Sequence, residues 1–242
     1  MVRTLVCVML LGAALPAQEI IPPGTILPVE LNSSLRSDRM HSGQVVTGRI
    51  MQDVPLQRDG KIHAGAKVVG KVVDVTSGAR QRIALRFYAL KTRSRRIALS
   101  TDLRAMATTM DVEQAMIPTS GPDRGTSEAD WVTEQIGGDT VYHGSVVTHG
   151  PEVVGHYVSG GVLARVSAEA GHGCRGDVGD HGQPRALWVF SSDACGLYDM
   201  PNLKLEHAGR TDPVGEIRLR STKGPVRVSS GSGMLLRVLP AR

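Results

Sequence analysis

The chain has 242 residues, with 28 Lys and Arg against 23 Asp and Glu and a formal charge of +5. An apolar content of 41% is enough to bury a core, but aromatics at 3% leave Val, Leu, Ile and Ala to form most of it. The positive excess is small and dispersed and favours anionic envelope surfaces only mildly, and no run beyond the N-terminus approaches the ~20 apolar residues of a transmembrane helix.

Residues 1–17 read as a secretory signal peptide. Arg3 supplies a positive start, and Thr4 to Leu15 is an apolar stretch too short for a membrane span. Leu15-Pro16-Ala17 ends on a small residue, so cleavage after Ala17 is expected, giving a mature start at Gln18. Cys7 lies inside the apolar run and gives no lipoprotein start. Cys174 and Cys195 then remain, and a pair in an exported chain reads as one disulfide. Its loop of about twenty residues would stabilise the fold by ~3 kcal/mol.

A first module is expected over residues 18–105. Gly24 to Leu31 alternates Leu27, Val29 and Leu31 against Pro28 and Glu30. Pro28 lacks a donor, which places this strand at a sheet edge or puts Pro28 at the strand start. A second strand, Gln44 to Asp53, sets Val46, Gly48 and Ile50 on one face. Asp59-Gly60 is a strong turn dipeptide. The third strand, Ala66 to Val75, carries Lys67 and Lys71 on one face and Val68, Gly70 and Val72 on the other. The fourth, Arg82 to Leu90, points Ile83, Leu85, Phe87 and Ala89 inward. Lys91 to Arg95 is a basic hairpin tip, and a fifth strand runs Arg96 to Leu103. Short alternating runs between glycine-bearing turns are the pattern of a compact antiparallel β module.

The order Gly-Thr-Ile-Leu-Pro-Val-Glu-Leu, then Ser-Gly-Gln-Val-Val-Thr-Gly-Arg-Ile, then Asp-Gly-Lys-Ile-His-Ala-Gly-Ala-Lys-Val-Val-Gly-Lys-Val resembles the β-barrel domain of the TrbI-like family. Those are the envelope-spanning core proteins of conjugation and type IV secretion machines. Gly24-Thr25, Gly43 to Val46, Gly65-Ala66 to Gly70 and Gly78 to Arg82 fill the family's glycine-based slots. The family's inner-membrane helix and long Pro-rich segment have no counterpart in this sequence. The resemblance covers residues 22–103 and implies a barrel-like fold more than a secretion role.

Residues 106–130 lose the alternation and read as a linker, with Ser127 to Asp130 opening a short helix through Ile136. A second β module is expected over 131–242, a sandwich or barrel. Its strand candidates are Asp139 to Thr148, Glu152 to Val158, Gly161 to Ala168, Arg185 to Ser191, Leu203 to His207, Glu216 to Ser221, Val226 to Ser229 and Met234 to Leu239. Trp188 and Phe190 share a face of the most apolar of these and are expected to centre its core. The fold class is therefore all-β, two antiparallel modules behind a signal peptide.

The one suspicious polar cluster is Gly171 to Gly182. His172, Asp177, Asp180 and His181 there are the weak alternative for a metal site, against a solvated disulfide loop. The spacing fits no EF-hand. His143, His149 and His156 share no period, no Gly-x-Ser-x-Gly elbow occurs, and Ser229 to Gly233 reads as a hairpin or bulge. The basic tip Lys91 to Arg96 offers a contact for nucleic acid or anionic lipid, but aromatic stacking partners are missing apart from Tyr88, so a solvated turn is expected and no nucleic acid as a partner. No catalytic residue, cofactor or resident metal is expected. The sequence points to a periplasmic or secreted, non-enzymatic envelope scaffold or binding protein whose partner is another envelope protein or itself. The alternative is an exported hydrolase or metal-binding enzyme using the Gly171–Gly182 loop.

Overall fold

The structure is a computed structural model. It describes residues 21–56, 60–78, 80–116, 188–190 and 194–240, with the backbone of six short strands between 133 and 184. In chain order the elements are β1 (Ile26–Leu31), β2 (Leu35–Arg36), β3 (Val45–Ile50), β4 (Val54–Pro55), β5 (Lys61–Ile62), β6 (Lys67–Thr76), β7 (Arg82–Lys91), β8 (Arg96–Ala98) and β9 (Thr101–Ala107). Then come α1 (Thr109–Met116), β10 (Thr133–Gly137), β11 (Thr140–His143), β12 (Val146–His149), β13 (Glu152–His156), β14 (Gly179–Asp180) and β15 (Gln183–Pro184). The last are β16 (Gly196–Leu197), β17 (Leu203–His207), β18 (Ile217–Ser221), β19 (Arg227–Val228) and β20 (Gly233–Val238).

The expectation of an all-β chain holds. One sheet nearly closes into a barrel, with antiparallel neighbours in the order β9, β20, β1, β3, β6, β7 and with β8 on the far half of β7. The closing corner is Leu99-Ser100. Leu99 N–H still donates to the Tyr88 carbonyl at 2.9 Å, whereas Ser100 C=O already accepts from Leu239 at 2.8 Å. The expected fifth strand is thus two, β8 on β7 and β9 on β20, because the chain changes partner there. Curling the sheet shut removes the exposed edges that invite aggregation. β18 and β17 branch from the near half of β7, and β16 adds a short parallel strand to β9.

Side-chain alternation fills the barrel. Leu27, Val29 and Leu31 from β1, Val46 and Ile50 from β3, Val68 and Val72 from β6, Ile83, Leu85 and Phe87 from β7, and Met234 and Leu236 from β20 share one core. Glycine is required where walls meet closely. A Cβ at Gly70 would lie 2.7 Å from Phe87 Cδ1 and 2.8 Å from the Arg86 carbonyl oxygen, so the close approach of β6 to β7 depends on its absence.

Three local expectations are corrected. β1 is flanked by β20 and β3, so Pro28 does not mark an edge. It is tolerated because the β3 ladder begins only at Val29, and Pro28 has merely to accept from Met51 N–H at 3.0 Å. Ala89 is buried but, paired with Val69, lies outside the cluster that holds Phe87. The register of β6 and β7 shifts between Val69 and Gly70, so Tyr88 is skipped and Leu90 takes the inward position. Ala105 does not end the first module either, since β9 runs to Ala107 and α1 follows at once.

The largest correction concerns residues 203–239. Expected in a second module, they complete the barrel: β20 lies between β9 and β1, and β18 pairs with β7. Short-range alternation cannot say which strand a segment pairs with, so sequence proximity was misleading. Trp188 and Phe190 do not centre a separate core on a strand. Trp188 sits in a turn at φ 57°, its N–H donates to Gln52 Oε1, and Phe190 would meet a Cβ placed on Gly233 of β20 at 3.1 Å. Both rings are buried and meet edge-on at 6.4 Å.

The expected strand Asp139 to Thr148 is a hairpin, β11 and β12, inside the four-stranded meander β10–β13. The expected helix to Ile136 gives way at residues 133–137 to β10. The signal segment 1–17, the strand candidate 161–168, Cys174, His172, Asp177 and His181 lie outside the described residues.

Candidate functional site

Ionisable side chains converge at two places on the barrel's β9 side. At the β9–β20 seam Asp102 is fully buried. Arg237 of β20, directly opposite it, reaches it with Nη2 at 2.5 Å, and Arg210 Nε donates at 3.1 Å. Two residues on, Arg104 lies at the register break of β9 and is itself buried, its Nε donating to the Ala194 carbonyl at 3.1 Å. All seven β9 residues are buried, and the 194–198 segment runs alongside β9, with β16 paired to it and Tyr198 N–H donating to the Met106 carbonyl at 2.9 Å. A second cluster follows on β18. Glu216 accepts from Arg218 at 2.6 Å and faces Arg86 at 3.6 Å, and its carbonyl contacts His207 Nδ1. His207 Nε2 lies 3.1 Å from Thr211 Oγ1, so both ring nitrogens hold the β17–β18 turn.

The candidate site is the open cleft beside α1, about 560 Å³, lined from the 108–109, 199–203 and 223–232 stretches. Thr108 starts the helix. Its N–H and hydroxyl donate to Asp111 Oδ2, and its Oγ1 accepts from Asp111 N–H at 3.2 Å, a reciprocal cap. Asp199, in the left-handed conformation at φ 47°, stands against the same carboxylate. Its carboxyl is raised above the ordinary range, first by the hydrogen bond with Asp111, then by that group's charge and by desolvation. The neighbouring carboxylate and desolvation thus favour the protonated form of Asp199. Lys223 and Arg227 line the same cleft as Asp199, so it carries groups of both signs.

Thr109 Oγ1 donates to the Ser230 carbonyl at 2.8 Å, and Ser232 Oγ lies 3.5 Å from that hydroxyl.

Of the residues singled out in sequence, Asp180 is placed by backbone only, paired with Gln183 in the β14–β15 hairpin. Among the described residues no group of three His, Cys, Asp or Glu is suited to hold a metal ion. Cys195 is half-buried, with its N–H donating to Tyr198 Oη at 2.7 Å. Ser229 to Ser232 connect β19 to β20, which pair with different strands, so the stretch is neither the hairpin nor the bulge expected. Asp111 and Asp199 were not found from sequence. Thr108-x-x-Asp111 is a readable capping signal, whereas nothing local marks Asp199, which reaches Asp111 only through the fold.

No protein-family model matches this chain, and no curated protein matches it significantly.

Proposed function

We propose that the mature chain is an exported, non-enzymatic cell-envelope protein whose barrel serves as a scaffold or binding module. In this reading residues 1–17 are removed, Cys174 and Cys195 are joined, and the barrel is akin to those of TrbI-like envelope proteins. One observation carries it: the groups the described fold gathers most tightly tie strands together. Asp102, Arg237, Arg210, Glu216, Arg86 and His207 all bridge elements of the barrel sheet or its turns.

Fractionation with N-terminal sequencing and a crosslinking pull-down tests it. The expected result is a chain starting at Gln18, in the envelope fraction, crosslinked to an envelope protein or to itself. A cytoplasmic chain starting at Met1 would overturn it. Stoichiometric zinc or calcium in the purified protein would support the metal-dependent hydrolase built on the Gly171–Gly182 loop instead. Thiol titration without reductant should find no free thiol at Cys174 or Cys195.

A further inference from the structure

The outer wall of the barrel over β3, β6, β7 and β8 carries cations in strand register. Arg49 stands opposite Lys67, Lys67 opposite Lys91, and Lys91 opposite Arg96. Directly opposed residues share a face, so these four form one continuous row across four strands. Adjacent strands lie about 4.8 Å apart, giving a row about 14 Å long. Four residues along β6, about 13 Å away, a second row sets Lys71 opposite Arg86. A third sets Arg82 opposite Arg220 and Arg220 opposite Lys204.

Like charges directly opposite one another in a sheet are destabilising. Carboxylates relieve part of this wall: Glu30 pairs with Arg49 at 2.9 Å, Asp74 with Arg82 at 3.4 Å, Glu206 with Arg220, and Glu216 with Arg86 and Arg218. Lys67, Lys71 and Lys91 are exposed and have no carboxylate partner among the described residues. Folding gains nothing from these three charges standing together.

We propose that this wall is a peripheral docking surface for a bilayer bearing anionic phospholipid headgroups. The cations spread in two dimensions, which suits a plane of phosphates better than a single line of charge. Val45, exposed at 55%, lies opposite Lys71 on the same face and adds an apolar contact. Tyr88 is skipped at the register shift and lies 5.6 Å beneath the Arg96 guanidinium. An aromatic ring beside cations suits the interfacial layer. A single-stranded nucleic acid would need exposed stacking rings, and the ring of Tyr88 is already covered by Arg96. An acidic peptide adding as a strand would need a free edge, but β3 and β6 are paired on both sides.

The proposal rests on the envelope reading only for where such a bilayer is met. Its test uses purified protein, so a failure to bind leaves export standing, and a cytoplasmic location leaves the vesicle result standing. The mature chain is sedimented with phosphatidylcholine vesicles, with and without phosphatidylglycerol, and separately titrated with a single-stranded oligonucleotide. Binding is expected to the anionic vesicles alone and to weaken as salt shortens the screening length to about 8 Å. Each juxtamembrane cation contributes about fivefold, so the Lys67→Gln, Lys71→Gln, Lys91→Gln triple variant should bind roughly 100-fold more weakly. The single variants should each lose about fivefold, which keeps the test valid if the triple variant misfolds, and Arg36→Gln, on the separate β2–β19 sheet, should bind normally. Absence of binding, or undiminished binding by the variants, would overturn the proposal. Tighter binding to the oligonucleotide than to vesicles of equal phosphate content would reassign the wall to nucleic acid.

Discussion

The β9–β20 seam and the β3–β6–β7 wall are built from the same residue types and treat them oppositely. At the seam Asp102 is buried between Arg237 and Arg210, so charge holds two strands in register. On the wall Lys67, Lys71 and Lys91 face other cations across the ladder and extend into solvent. Removing a charge should therefore harm folding in the first region and spare it in the second. A buried charge that loses its partner is costly, whereas exposed like charges repel in the folded state and are screened by salt.

Breaking the seam should have the largest effect. Asp102→Ala leaves Arg237 and Arg210 without their shared acceptor and should cost about 3 kcal/mol in denaturant unfolding. A loss near zero would mean that the seam's charges do not hold it. Next comes packing between β6 and β7. Gly70→Ala inserts a methyl group within 3 Å of both Phe87 and the Arg86 backbone and should cost about 2 kcal/mol by overpacking, read as a lower Tm. An unchanged Tm would show that the two strands can separate freely.

The smallest effects are those of pH. Asp111 raises Asp199, so the folded chain holds that proton more tightly than the unfolded chain does. The associated stability is present in acid and is lost as pH rises through the folded-state value. Asp199→Asn should match the native chain in acid and melt slightly higher at neutral pH. Asp53 has the opposite sign. The Lys61 ammonium and then the Ala64 amide hold its carboxyl below the usual range, so its contribution is present above the unfolded carboxylate range and fades as pH falls. Asp53→Asn should melt slightly lower at neutral pH and converge with the native chain in acid. Melting curves from acid to neutral pH check both signs.

Strand existence was legible wherever the period of two was clean. Val46, Gly48 and Ile50 face the core as their spacing predicts, and so do Val68, Gly70 and Val72 opposite Lys67 and Lys71. Pairing was not legible, because strands Ile217–Ser221 and Gly233–Val238 find partners more than a hundred residues earlier through contacts that leave no local trace. Tyr88 shows the limit at single-residue scale: one shifted register reverses every later side chain. The cation rows were half visible, since Lys67 and Lys71 shared a face in sequence. Their opposition to Lys91 and Arg86 required the register. The Asp111–Asp199 pair joins a helix cap to a left-handed turn and was invisible for the same reason.

The contrast between the two regions is tested most directly by measuring stability and vesicle binding on one protein, the Lys67→Gln, Lys71→Gln, Lys91→Gln variant. Relief of like-charge opposition predicts a Tm equal to or above that of the native chain, together with loss of sedimentation with anionic vesicles. A Tm that falls by several degrees would contradict the account, because the wall's cations would then hold the barrel together just as those of the seam do.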